Sequence, residues 1–345
     1  MADLSVATLG ASSAQAWDER VLAGHGHMLQ SWRWGEFKQL HGWETERILV
    51  AKGGQVALAQ ILFRHVGPFS IAYIPRGPLF PPKGIEVVRA LIHEVDRLCR
   101  SKRSLHLIVE PNVPLPFRGM ISTEGFVRGP QHFQPVRTVQ VPLVSDDEML
   151  GRMHGKTRYN VKLAIRRGVR VARPDSLSQG IASFYDLMLD TAKRNDFGIH
   201  DIKYYADFLR IFGEDAVMLF AYVQDRPVAG LIAAKYGAEA IYMYGGSSTE
   251  HRAHGAAFLL QYEAMRWARD NGCNRYDLWG IPSRDPESTG ANGGRVAATR
   301  GEDWRGLYRF KVGFGGDVVD YPPTLERRFR PFLSFIARRR YGQHD

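Results

Sequence analysis

Cysteine is nearly absent. Cys99 and Cys273 are the only two in 345 residues, and neither belongs to a Cys-x-x-Cys or Cys/His cluster. That excludes a disulfide framework and gives no support to a zinc site. No apolar run approaches the roughly 20 residues that a spanning helix requires, and Met1 to Gln15 lack the basic start and apolar block of a secretory signal. The expectation is a soluble protein of a reducing cytoplasm, peripheral at most on the inner face of the cell membrane. Acidic residues are also in deficit, 36 against 46 lysines and arginines, for a net charge of +10. A field of that sign concentrates phosphates, so the expected partner is anionic. His251 and His254, like His25 and His27, have no carboxylate or cysteine at ligand spacing, so no metal is expected. Ser247-Ser248 lacks a nucleophile elbow, and there is no P-loop. No cofactor is expected.

What the chain does have is one unit written twice. Gln55 to Phe63 runs into Ser70 to Ile74, and Arg226 to Ala234 runs into Ala240 to Tyr244. Each pair reads as two short apolar strands joined by a turn, followed by a helix and a strand that ends in proline. Leu107 and Leu278 lie 171 residues apart, and so do Pro111 and Pro282. With 44% hydrophobic residues the chain suffices for two domains with sizeable cores. Residues 17 to 42 read as a helical entry holding Trp32, Trp34 and Phe37. Val88, Leu91, Ile92, Val95 and Leu98 predict a helix from Ile85 to Arg100. Ser145 followed by Glu148 is a helix start, which places the domain boundary at 147/148. A second helix is expected from Lys156 to Arg167, with Tyr159/Leu163 and Val161/Ile165 packing inward. Residues 283 to 303 read as a polar, glycine-rich surface loop near the site. Phe310 to Val319 read as strand-like, and Leu325 to Tyr341 as a basic amphipathic helix. Its aromatic face and its arginines suit an anionic membrane surface.

Arg158, Lys162 and Arg166 recur at i, i+4 and i+8, forming one basic stripe almost without acidic counterparts. Such a stripe is either a solvated face or a row of phosphate contacts. Arg252-Ala253-His254-Gly255-Ala256-Ala257 follows the second hairpin and precedes a helix. That order presents backbone N–H groups to a pyrophosphate and matches the Arg-x-x-Gly-x-Ala loop of GNAT acetyltransferases. The match supports the fold and does not by itself specify acetyl-CoA.

Five collinear stretches carry a more specific resemblance. They are Ser31 to Lys38, Ala72 to Pro78, Lys156 to Asn160, Tyr276 to Gly280, and Gly306 to Gly316. In this order they resemble the FemABX family, enzymes that build peptidoglycan interpeptide bridges from aminoacyl-tRNA. The resemblance implies an α/β (α+β) chain of two tandem GNAT-like acyltransferase domains, each a mixed twisted sheet flanked by helices. The expected domains are 1–147, with 318–345 packing back on it, and 148–317. No coiled-coil arm is inserted, so the chain is similar to the compact FemX type. The implied reaction is attack by a stem-peptide side-chain amine on the ester of aminoacyl-tRNA. The acceptor is a UDP-linked or lipid-linked muropeptide precursor, and the enzyme is expected to be a monomer.

Carried over position by position, Lys311 is the implied site cation, steadying the tetrahedral intermediate or the tRNA end, and Phe310 would position the adenosine or the ester. Lys38 would contact the precursor diphosphate and Arg194 would be a second phosphate clamp. Arg76, on a constrained turn, is a substrate contact or structural. Tyr244 bonds the peptide or belongs to the core. Glu110 is a candidate general base or an orienting carboxylate. Arg158, Lys162 and Arg166 would meet tRNA. The alternatives are a CoA-dependent GNAT-type N-acyltransferase, resting on Arg252 to Ala257, and a non-catalytic nucleic-acid or membrane-surface binder, resting on the basic C-terminus.

Overall fold

The apolar alternation of the two copies folds as two mixed sheets in a computed structural model that describes residues 4–8, 14–114, 124–129, 133–195, 198–249, 254–285 and 305–330. The chain divides into two units, Met1–Gln134 with the stretch from Tyr321 onward, and Pro135–Asp320.

In the first unit, strand β1 (Ser5–Thr8), helix α1 (Ala14–Ala23), a single 3-10 turn and helix α2 (Trp32–Gln39) precede strands β2 (Glu44–Lys52), β3 (Gln55–Val66) and β4 (Phe69–Pro75). Helix α3 (Ile85–Ser101) then crosses to β5 (Ser104–Glu110), which pairs parallel to β4. A parallel pair needs such a crossover, and the helix covers the sheet face it spans. Val87, Leu91, Val95 and Cys99 of α3 are buried against Ile48, Ala59, Ile61, Ile74 and Leu107 of the strands. Short β6 (Val127–Arg128) and a strand from the far end of the chain complete a sheet of order β1-β2-β3-β4-β5-β14-β6, where β14 is Leu325–Arg328.

The second unit repeats this core. Strands β9 (Ala216–Val223), β10 (Arg226–Tyr236) and β11 (Glu239–Ser247) lead through helix α8 (Ala256–Asp270) to β12 (Arg275–Gly280), again parallel to β11. Ahead of them lie β7 (Arg137–Pro142), α4 (Asp146–Arg152), α5 (Gly155–Arg166), β8 (Arg170–Ala172), α6 (Leu177–Asn195) and α7 (Ile202–Phe212). After them come α9 (Arg305–Val312) and β13 (Asp317–Asp320). The strand order is β13-β7-β12-β11-β10-β9-β8. Leu259, Leu260, Met265, Val161 and Ala164 bury one face of this sheet.

Three sequence expectations are corrected. The boundary falls at 134/135 rather than 147/148, because Val139 and Val141 bury fully as β7 closes the open edge of β12. The Ser145 capping box does start α4, but inside the second unit. Of the strand-like stretch Phe310 to Val319, residues 310–312 close helix α9 instead, and only its end, from Asp317, is strand. Phe310, Val312 and Phe314 satisfy strand alternation, yet Tyr308/Val312 and Phe310/Phe314 also satisfy helical i, i+4 spacing, and the helix packs both pairs on the core. Leu325–Arg328 form a strand on β5 instead of starting a helix, and residues from 331 onward lie outside the described residues. Most of the 283–303 loop does so too.

Candidate active site

The first unit gathers a lysine and a carboxylate along one line of aromatic contacts. Ser31 caps α2 by accepting from the Trp34 N–H, and the helix buries Trp34 and Phe37 while leaving Lys38 half-buried. The Lys38 ammonium sits 5.6 Å from the Trp34 ring centroid, 5.9 Å from Phe37 and 5.7 Å from Trp43. Three ring faces favour a cation there. Burial, reinforced by the Arg64 charge, pushes its pKa down to about 8. Trp43 in turn lies 6.3 Å from Tyr73, whose hydroxyl donates to Glu110.

That carboxylate is fully engaged. Besides the Tyr73 hydroxyl, Glu110 accepts from the N–H of Phe133 at 2.6 Å and of Gln134 at 3.1 Å. Glu110 is only 3% exposed at the end of β5. This geometry clamps the backbone at 133–134, as an orienting carboxylate would. Burial and the Glu110 charge together raise the Tyr73 pKa well above its ordinary value. Arg76 is buried with its guanidinium 3.4 Å over the Tyr321 ring, on a backbone with φ of 50°. Its turn is held by Gln30, which donates to the Pro75 carbonyl at 2.6 Å. Arg76 is thereby a structural part of the turn.

The second unit builds its centre around Lys311. This side chain, on α9, is 5% exposed and donates to the Gly280 carbonyl at 2.7 Å. The Tyr242 ring centroid lies 5.5 Å from Nζ. Desolvation lowers its pKa to about 7, against the opposing pull of Asp277. Phe310 packs edge-on to Phe258 at 5.0 Å and Phe314 at 5.2 Å, a position at the core margin that holds α9 down.

Two other expected contacts prove to be occupied. The Arg194 guanidinium donates to the Ser247 carbonyl and the Thr249 hydroxyl, both at 3.0 Å, tying the end of α6 to β11. Tyr244 lies inside an aromatic cluster, 5.2 Å from Tyr205 and 5.5 Å from Phe208. On α5, Arg158 donates to the carbonyls of Leu150, Gly151 and Met153, closing the C-terminal end of α4. The stripe is therefore shortened to Lys162 and Arg166, both exposed. Tyr159 and Ile165, expected to pack inward, are also exposed. Arg166 lies 5.7 Å over the Tyr159 ring.

Gly255, with φ of 72°, begins α8. A Cβ there would sit 2.6 Å from the Asn160 carbonyl, so close packing of α5 on α8 accounts for this glycine without a phosphate. Residues 250–253, which hold the rest of that loop match, lie outside the described residues. Among the described residues no group of three or more metal-ligating side chains occurs, and no helix is long and apolar enough to cross a membrane.

The sequence reading passed over Asp277, Tyr242, Trp43 and Tyr73. Asp277 carries a signal: it is a carboxylate between Tyr276 and Leu278 in the buried middle of β12, where a charge persists only if it is partnered.

Two consecutive sheets of this kind, each with a parallel pair bridged by a helix, define a tandem GNAT-like fold. Residues 15–119 match the FemAB family and residues 155–287 match the acetyltransferase (GNAT) domain. The chain is 25% identical to the lipid II:glycine glycyltransferase of Staphylococcus aureus over 354 aligned residues, covering 77% of this chain and 83% of that protein. A crystal structure of FemX superposes with a TM-score of 0.81 at 21% identity, covering 96% of this chain and 99% of FemX. A tandem GNAT protein from the clavulanic acid biosynthesis pathway shares the fold more loosely, with a TM-score of 0.57 at 14% identity and coverage of 94% and 98%. The chain is thus similar to FemAB-family enzymes in its first unit and to GNAT acetyltransferases in its second.

Proposed function

We propose that this enzyme transfers an amino acid from aminoacyl-tRNA to the side-chain amine of a peptidoglycan stem peptide, extending an interpeptide bridge. The observation that carries the reading is Lys311, a buried ammonium held on the Gly280 carbonyl at the position of the family's site lysine. The amine nitrogen attacks the ester carbonyl and the ribose oxygen departs with a proton. An activated ester needs little beyond alignment and a charge to steady the oxyanion. Of the three N–H groups of the ammonium, the described residues take one, on Gly280. Lys38, in its aromatic surround, suits the precursor diphosphate. The name of the S. aureus relative couples glycine to lipid II, which favours a lipid-linked acceptor here.

The test is transfer of a labelled amino acid from charged tRNA to UDP-linked and lipid-linked precursors, with labelled acetyl-CoA in parallel. Product from tRNA alone supports the reading. Product from acetyl-CoA alone replaces it with the CoA-dependent alternative.

The exposed pair on α5 is assigned to the tRNA backbone. Neutralised phosphates release counterions, so the Lys162→Ala/Arg166→Ala double variant lowers the slope of log K against log salt by roughly 0.7 to 0.9 per lost contact. Arg158 is left in place because it caps α4. Filter binding of tRNA over a salt series reads the slope, and an unchanged slope moves the tRNA surface elsewhere.

A further inference from the structure

Strand β12 carries Asp277 with no exposed surface. Its Oδ1 accepts from the Trp279 N–H at 2.6 Å and from the Thr138 hydroxyl, and its Oδ2 lies 3.3 Å from the Gln140 amide nitrogen. The Thr138 oxygen is also 3.0 Å from the Trp279 carbonyl. Trp279 itself has φ of 60°, a left-handed conformation uncommon for a bulky residue. The pairing of β12 with β7 shifts register at this point, between Asp277 and Gly280. The strand is thus turned and pinned from both sides of Trp279, and the next carbonyl, that of Gly280, is the one that receives Lys311.

A pin of this kind needs only a hydrogen-bond acceptor, which asparagine would also supply. The negative charge must be accounted for separately. A buried charge is costly, and the Asp277 charge acts on Lys311, favouring its protonated form. From β11 the phenol of Tyr242 faces the same ammonium, with its own pKa pushed up to about 12 by burial. Asp277 is therefore the negative group that favours the charged lysine against its desolvation.

We infer that Asp277 and Thr138 are positioning residues for the Lys311 ammonium, both fixing the Gly280 carbonyl that aims it. This rests on Lys311 acting in turnover. Loss of the carboxylate charge by Asp277→Asn keeps the acceptor for Trp279 and lets the Lys311 pKa fall. The falling limb of the kcat profile then moves to lower pH. At pH 7 kcat drops as the charged fraction shrinks, KM stays, and kcat at the acid end approaches wild type. Thr138→Val lowers kcat severalfold at unchanged KM, and Thr138→Ser, which keeps the hydroxyl, restores it.

The measurement is kcat and KM for both substrates against pH, on folded protein, with Lys311→Met in the same series. A limb that does not move, or a loss uniform across pH, reduces Asp277 to a structural pin and overturns the inference while leaving Lys311 in place. Full turnover in Lys311→Met overturns the underlying reading instead. If Asp277→Asn does not fold, the threonine pair decides: wild-type kcat in Thr138→Val overturns the inference.

Discussion

Replacing Lys311 with Met is expected to lower turnover on the order of 100-fold or more, the usual loss when one oxyanion donor is removed, while precursor affinity stays unchanged. The side chain is buried and its ammonium is held by a backbone carbonyl, so methionine replaces its volume without opening the fold. The pH dependence provides a second signature. With a pKa lowered to about 7 by desolvation, Lys311 is charged below neutrality and loses its proton as pH rises. The acceptor amine must lose a proton to attack, which gives a rising limb, and Lys311 gives the falling one, so kcat is bell-shaped. The residual activity of Lys311→Met retains the rising limb and lacks the falling one. Single-turnover rates and calorimetry with precursor separate chemistry from binding. Near wild-type turnover, or a falling limb that survives in the variant, would sink the assignment.

The repeated core was legible because it is local. The two hairpins, their crossover helices and the strands after them each show their period within about thirty residues, and β3, β4, α3 and β5 find their counterparts in β10, β11, α8 and β12. The strands that close each sheet were not legible. Tyr276 pairs with Val141, and Leu325 pairs with Val109, partners separated by well over a hundred residues that no local period encodes. The same holds for the site. Lys38 and Lys311 stood out because motif stretches surround them. The occupation of Arg158 by the α4 carbonyls, of Arg194 by Ser247, and of Glu110 by the 133–134 amides depends on chain geometry that composition does not reveal. A charged residue in a motif can bind substrate or satisfy backbone, and only its neighbours tell which. Asp277 lay within a quoted motif, yet its role became readable only when Thr138, from β7, was placed beside it.

Gly315→Ala is expected to cost on the order of 3 kcal/mol of the second unit's stability, a large effect for one methyl group. Gly315 has φ of 79°, and a Cβ there would overlap the Arg152 carbonyl at the end of α4. That neighbour is backbone and cannot swing aside. It is fixed by Arg158 on the adjoining carbonyls and by the His154 N–H, which donates to the Gly313 carbonyl at 2.8 Å. Relief must come from the turn after α9, which shifts the helix that carries Lys311. Turnover should fall along with stability. Gly272→Ala provides the control, because Gly272 has φ of 85° with nothing within 4 Å of a Cβ. It suffers the left-handed penalty alone, about 1–2 kcal/mol, and lies at the far end of α8. At roughly 2–4 °C per kcal/mol for a unit of this size, the two variants separate in a thermal melt, and Gly272→Ala keeps wild-type kcat. Equal losses in the two would mean that the Arg152 carbonyl yields freely and that the turn does not hold α9 in place.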